Sequence, residues 1–306
     1  MARREESLAF GGQALLEGVM IRSPTHIVMC VRQAPDNIVT NVEEVESVTR
    51  RHRALGLPVV RGIASLFESM YHGVRGLSFS ANVALEEEEE EFTWKEWAIV
   101  IVLTAAMSAF FFVVPFLLTA LLPLEGLLFN VAEAAIRLGI FLAYISLVSM
   151  WGEFRRVLQY HGAEHKAINA HEDGAPMEVE AVRGYPRLHR RCGTSFIFIV
   201  VLVSIALFSL IPSPGFLARL AYRFALIPVI AGVSYELLRL SARHEGSLLM
   251  RALTAPGLGF QRLTTREPDD DMIEVAIAAV QEVLRLNEQE ASGDQPEEES
   301  RETEPR

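Results

Sequence analysis

Two histidines four residues apart, His161 and His165, are where this chain can do chemistry. They lie in YHGAEHKAINAHE, residues 160–172, which holds three of the chain's eight histidines and two glutamates. On a helix, residues four apart share a face, one a turn above the other. Two imidazoles so placed can hold one metal ion, and Glu164 stands beside them. The order H-x-x-E-H is the inverted form of a zinc-protease helix signature, and zinc is the ion it favours. With three protein ligands a fourth position stays open to water, whose pKa falls to about 7, and Glu164 is placed to act as the base. A second polar cluster, His189-Arg190-Arg191-Cys192, stands just before a long apolar run. His189 and Cys192 are the preferred remaining ligands, because their spacing suits one small loop. Glu17, His171 and Glu172 are further candidates, as alternative ligands or as groups that support the ligands. A ligating Cys192 must be a thiolate, and Arg190 and Arg191 are expected to lower its pKa. Gly162 costs a helix about 1 kcal/mol against Ala, and would let a substrate approach the backbone.

Each of these residues also has a plainer explanation. The histidines can decorate a polar helix, Cys192 can be a small buried residue at a helix start, and Glu17 can be a turn residue. The arginines at 187, 190 and 191 can simply anchor a loop at the inner face of a membrane.

The elements that must position the cluster follow from hydrophobic patterning. His26–Arg32 and Ile38–Val45 are rich in β-branched residues and flank Ala34-Pro35-Asp36-Asn37, which predicts a β-hairpin. Paired glycines Gly11 and Gly12, with Gly18, suggest tight backbone geometry around Glu17. Val60, Ile63, Phe67, Met70, Val74 and Leu77 share one helical face, so residues 58–79 predict an amphipathic helix. Glu86–Glu91 is a solvated acidic run. Residues 97–122 carry no charge and are long enough to span a bilayer, with Trp94 and Trp97 at the start. Residues 127–151 predict a second span, in which Glu133 and Arg137 can offset each other's cost. Residues 196–210 and 224–235 are two weaker apolar runs. A helix is expected from about Asp270 to Leu286, then an acidic tail too polar to fold.

Net charge is −11 over 306 residues, but residues 267–306 alone hold 14 acidic and 3 basic residues. The rest balances, so the acidity describes the tail. No basic block or aromatic platform points to nucleic acid. Cys30 and Cys192 are the two cysteines, with no C-x-x-C and no disulfide framework. Residues 1–12 lack the apolar core of a signal peptide. Basic residues gather in 152–195 and after the fourth run, which places both termini and the motif segment in the cytoplasm.

GGQALLEGVMIRSP, YHGAEHKAINAHE, RCGTSF and LTTREPDDDMIEVAIAA occur in this order, and together they resemble the YqhQ-like bacterial family, domain of unknown function 1385. The resemblance covers about residues 8–287. It implies an integral membrane protein and a predicted metal-dependent enzyme of no established reaction. Its motif positions here include Glu17, His161, Glu164, His165, His189 and Cys192.

The expected fold class is therefore an α-helical integral membrane protein of about four transmembrane helices with a small cytoplasmic α/β part. The segments are a flexible N-terminus (1–10), a β-hairpin with an amphipathic helix (11–92), a transmembrane hairpin (93–151), the motif loop (152–195), a second transmembrane hairpin (196–240), a C-terminal segment with a helix (241–287) and a disordered acidic tail (288–306). The expected activity is that of a zinc-dependent hydrolase at the cytoplasmic face of the bacterial inner membrane. The rival is a non-enzymatic membrane-anchored adaptor, with structural histidines or a closed structural metal. Expected partners are the lipid bilayer and a substrate or protein at that face; a homo-oligomer is compatible with this reading.

Overall fold

A computed structural model describes residues 10–85, 93–190, 192–210, 215–244 and 247–292. The expected loose residues 1–9, the glutamate run 86–91, Arg191 and residues 293–306 lie outside the described residues.

Four strands, β1 (Gly11–Leu15), β2 (Gly18–Arg22), β3 (His26–Ala34) and β4 (Asn37–Glu44), form an antiparallel meander in sequence order. The expected hairpin is β3–β4. A second hairpin, β1–β2, precedes it, joined by Leu16-Glu17 with Glu17 at φ +51°. Side chains alternate across the sheet. Val19, Ile21, Val28 and Cys30 form one core with helices α5 and α11, introduced below. Leu15, Met20, Ile27, Met29 and Val31 form another with Phe79 of α2. The sheet is covered on both faces, so β2 is buried along nearly its whole length.

A short turn, α1 (Val48–Arg51), leads to α2 (Val60–Leu85), the amphipathic helix expected from the sequence. Then come α3 (Trp94–Ala120) and α4 (Gly126–Val148), both apolar and long enough to cross a membrane. At 1.5 Å per residue, α3 is about 40 Å long. Thr93 and Glu96 cap its start in a reciprocal capping box. Ile101 and Leu103 are 61% and 63% exposed, so the chain itself leaves this apolar surface uncovered. The third and fourth apolar runs become α7 (Thr194–Leu210), only 17 residues, and a pair, α8 (Phe216–Ala225) and α9 (Ile227–Arg243), bent by 46°. Counting the bent pair as one gives up to three apolar spans by length and composition.

The polar segment 152–195 is not a loop. Its first half is α5 (Gly152–Glu172), followed by the short α6 (Val179–Arg183). The sequence also gave no warning of α10 (Leu248–Thr264), which continues through Pro256. Gly257 lets α10 press against α7, since a Cβ there would meet the Ser195 side chain at 2.5 Å. Helix α11 (Asp270–Ser292) overruns the expected end at Leu286, so residues 288–292 are helical rather than tail. Glu290 there accepts a hydrogen bond from Thr25 Oγ1 at 2.9 Å.

Glu133 and Arg137 pair along α4 as expected, but their principal partner was not foreseen. Arg223 of α8 donates from Nε to both Glu133 oxygens, at 3.0 and 2.9 Å, and from Nη2 to Asn130 Oδ1 at 3.2 Å.

Candidate metal centre

Helix α5 can approach its neighbours because its inner face is small: Ala163, Ala167 and Ala170 are all fully buried. Gly162 is the closest point. A Cβ there would lie 2.1 Å from the Arg266 carbonyl oxygen. The glycine admits the segment after α10, not a substrate. That segment carries the first ligand's support, as His161 Nδ1 lies 2.8 Å from the Thr264 carbonyl. Gly162→Ala gains about 1 kcal/mol of helix propensity yet must displace this strap. It is expected to lower stability by roughly 2 kcal/mol or more, read as a fall in thermal midpoint of the purified chain.

His165 is turned the same way, with Nδ1 2.7 Å from the Arg187 carbonyl. A carbonyl only accepts, so each Nδ1 is the donor and Nε2 is the nitrogen left to face a ligand. This is the orientation that ligating histidines take, with the second nitrogen fixed by an outer partner. The loop that supplies Arg187 is itself held by α5. Lys166 Nζ donates to the Arg183 carbonyl at 2.8 Å, and Asn169 Nδ2 donates to the carbonyls of Pro186 and Leu188.

Cys192 completes the cluster. Its Sγ lies 3.4 Å from His161 Nε2 and accepts from Thr194 Oγ1 at 3.4 Å. One ligand atom each from His161, His165 and Cys192 lie within 4.8 Å of one another. A tetrahedral zinc shell needs ligand atoms about 3.3–3.7 Å apart, a small further closure. Burial, then the neighbouring His161, hold His165 well below the usual imidazole range, so it is neutral. Its Nε2 is buried and, among the described residues, has no hydrogen-bond partner. A lone pair sealed from water without a donor costs free energy, and a cation answers it. The residues present therefore fit a zinc ion.

The expectation for the thiol needs correcting. Burial pushes Cys192 up, not down, and Thr194 is the group that opposes this. Arg190 is exposed, and the contact that lowers the thiol comes from Thr194. A thiolate at Cys192 thus depends on a bound cation.

Glu164 lies on the same helix with 4% of its surface exposed. Burial pushes its carboxyl up to about 8, while His161 pulls it down. A Cβ on Gly12 would sit 2.2 Å from Glu164 Oε1, so Gly12 is the floor of this carboxyl's pocket. Of the paired glycines, Gly12 accommodates Glu164, whereas a Cβ on Gly11 would meet nothing within 4 Å.

The other candidates divide. His189 is buried, its ring centre 5.7 Å from that of His165, and its Nε2 lies 3.4 Å from Glu172 Oε1. It borders the cluster without joining the closest three. Gln261 fixes its backbone, accepting from His189 N–H at 2.9 Å and donating to its carbonyl at 2.8 Å. His171 packs its ring on Phe10, 5.4 Å between centres, and burial lowers its pKa. Glu17 is paired with Arg156 and accepts from the Tyr160 hydroxyl at 3.3 Å. It sits in the turn that ties the β1–β2 hairpin to α5, outside the group formed by His161, His165 and Cys192.

Every element that frames the cluster lies between Gly152 and Arg266 except the Gly12 floor. The family model described as "Protein of unknown function (DUF1385)" matches residues 57–286. The chain belongs to that family. It is also 36% identical to "Uncharacterized protein YqhQ" of Bacillus subtilis (strain 168), over 94% of this chain and 95% of that protein. No solved structure matches the chain. The DUF1385 match takes in His161, Glu164, His165, His189 and Cys192 and leaves out Gly12 and Glu17. The supports Thr264 and Arg266 fall in the LTTREP stretch that carried the resemblance. Gln261, two residues before it, had no signal of its own.

Proposed function

We propose that this DUF1385 chain is a metal-dependent, hydrolase-like membrane enzyme with its site at the cytoplasmic face of the bacterial inner membrane. The observation that carries the reading is the buried His165 Nε2, without a hydrogen-bond partner among the described residues and set beside His161 Nε2 and Cys192 Sγ. His161, His165 and Cys192 would hold zinc, with His189 as the neighbouring reserve ligand. A zinc ion so held supplies Lewis-acid polarisation of a substrate oxygen. Thr264 and Arg187 carbonyls fix both imidazoles, and Thr194 orients the sulfur. Glu164, walled off by Gly12, holds or releases a proton next to the ligands, and its enclosure excludes bulk water.

The membrane reading rests on α3 and α4, whose apolar surface is uncovered within the chain. Four spans result if α7, about 25 Å long, crosses a thinned or locally polar region and α8–α9 crosses as a bent pair. Arg155, Arg156, Arg183, Arg187 and Arg190 fall in the segment that carries the site, and this basic bias supports a cytoplasmic site with both termini on the same side.

The enclosure of His165 also supports a rival, in which His189 closes a four-ligand structural site in an adaptor protein. Elemental mass spectrometry of the purified chain tests the shared premise. About one equivalent of zinc is expected in the wild type and none in His161→Ala/His165→Ala. A wild type that stays metal-free after reconstitution with zinc, iron and manganese sinks both metal readings. Retention of zinc by His189→Ala favours the open, catalytic arrangement over the closed one.

A further inference from the structure

A cavity of about 710 Å³ lies beside the site, walled by the start of β1, the Arg190 loop, the end of α9 and the first half of α10. Three arginines line it, Arg190, Arg239 and Arg251, and no acidic residue does so among the described residues. The rest of the wall is largely apolar, including Phe10, Leu238 and Leu258. Among the described residues none of the three arginines is in an ion pair. Glu236, which Arg239 influences, is already held by Arg61 through two hydrogen bonds.

Arginines near a membrane face often only anchor topology. Here that explanation is incomplete, because the three come from separate parts of the chain and converge on one concave space. Two stretches of its wall also belong to the candidate centre. Arg190 sits between His189 and Cys192 in sequence. Gly11 precedes Gly12, whose backbone lies against Glu164, and Phe10 packs on His171. Guanidinium groups match phosphate oxygens in bidentate geometry, and an apolar wall beside them suits hydrocarbon. The volume is in the range of ligand pockets and far above a single ion's need.

We infer that this cavity binds an anionic glycerophospholipid, its phosphodiester against Arg190, Arg239 and Arg251 and its acyl chains along α9 and α10. Resting on the enzyme reading above, the inference names the substrate class of that site as a membrane lipid bearing a phosphate headgroup. The negative cytoplasmic leaflet supplies such lipids at the face where the arginines stand.

The test uses the full chain in detergent and calorimetric titration with short-chain phosphatidylglycerol, short-chain phosphatidylcholine and inorganic phosphate. Phosphatidylglycerol is expected to bind, and Arg190→Gln/Arg251→Gln to weaken it by about tenfold or more, with Arg190→Lys/Arg251→Lys recovering part. Phosphatidylcholine should bind much more weakly, and inorganic phosphate should not compete at equal concentration. Equal affinity for the two lipids, competition by phosphate alone, or an unchanged affinity in the Gln variant overturns the proposal. Zinc content measured on the same samples keeps the two ideas apart. His161→Ala/His165→Ala is expected to lose zinc and keep phosphatidylglycerol binding. A wild type that binds the lipid but no zinc removes the metal enzyme and leaves the lipid site standing.

Discussion

Glu133→Ala is expected to destabilise the helical part by about 3–5 kcal/mol, the cost of leaving a buried charge without its partner. The side chains of Glu133 and Arg223 are 1% and 3% exposed. Removing the carboxylate strands Arg223, which among the described residues keeps Asn130, the Arg219 carbonyl and the faces of Phe116, Phe129 and Phe208. It also deprives Arg137 of its i, i+4 partner. Cation–π contacts of this kind are worth roughly 1–2 kcal/mol each when desolvated and cannot replace a full charge. The thermal midpoint in detergent should fall on the order of 10 °C. Glu133→Ala/Arg223→Met should recover much of the loss, because removing both ends of a buried pair is far cheaper than removing one. Additive losses in the double variant would show that the pair is not coupled.

This network illustrates what the chain disclosed as sequence and what it did not. Glu133 and Arg137 were legible because their spacing is local and fixed by helix geometry. Arg223 lies 90 residues from Glu133 in sequence, so no local spacing announces their pairing. The same division holds at the centre. His161, Glu164 and His165 could be placed on one helix by their spacing, and Cys192 by its short loop. Their supports could not, because Thr264, Arg187 and Gln261 act through backbone or amide groups that any sequence carries. Glycine misled twice for one reason. Gly12 and Gly162 were seen to permit close approach, but which atom approaches is set by tertiary packing: the Glu164 carboxyl in one case, the Arg266 carbonyl in the other. Helix α10 was missed because Pro256, Gly257 and Gly259 read as turn residues, whereas contact with α7 overrides that weak local preference.

In the metal-free protein, Glu164→Gln is expected to be stabilising above neutral pH, although it alters a carboxyl beside the candidate ligands. Burial raises the folded-state pKa of Glu164 from 4.5 to about 8. The folded chain therefore holds its proton more tightly than the unfolded one. That contribution is complete below about pH 4.5, declines as pH rises, and is lost once pH passes about 8. At about 1.4 kcal/mol per tenfold change in proton affinity, the decline amounts to something on the order of 3–5 kcal/mol. Glutamine keeps the shape and cannot ionise, so its variant should lack this slope. Thermal unfolding of chelated wild type and variant between pH 5 and pH 9 reads the difference directly: near-coincident midpoints at the acid end and a widening gap in favour of the variant above pH 7. Parallel profiles would mean that Glu164 meets solvent or a hidden cation in the folded state. Zinc content adds a second readout. The variant should still hold the ion, since His161, His165 and Cys192 are untouched, and the wild type's pH slope should shrink on zinc loading because a nearby cation favours the carboxylate. A variant that loses zinc would make Glu164 a ligand rather than the proton-handling neighbour its enclosed carboxyl suggests.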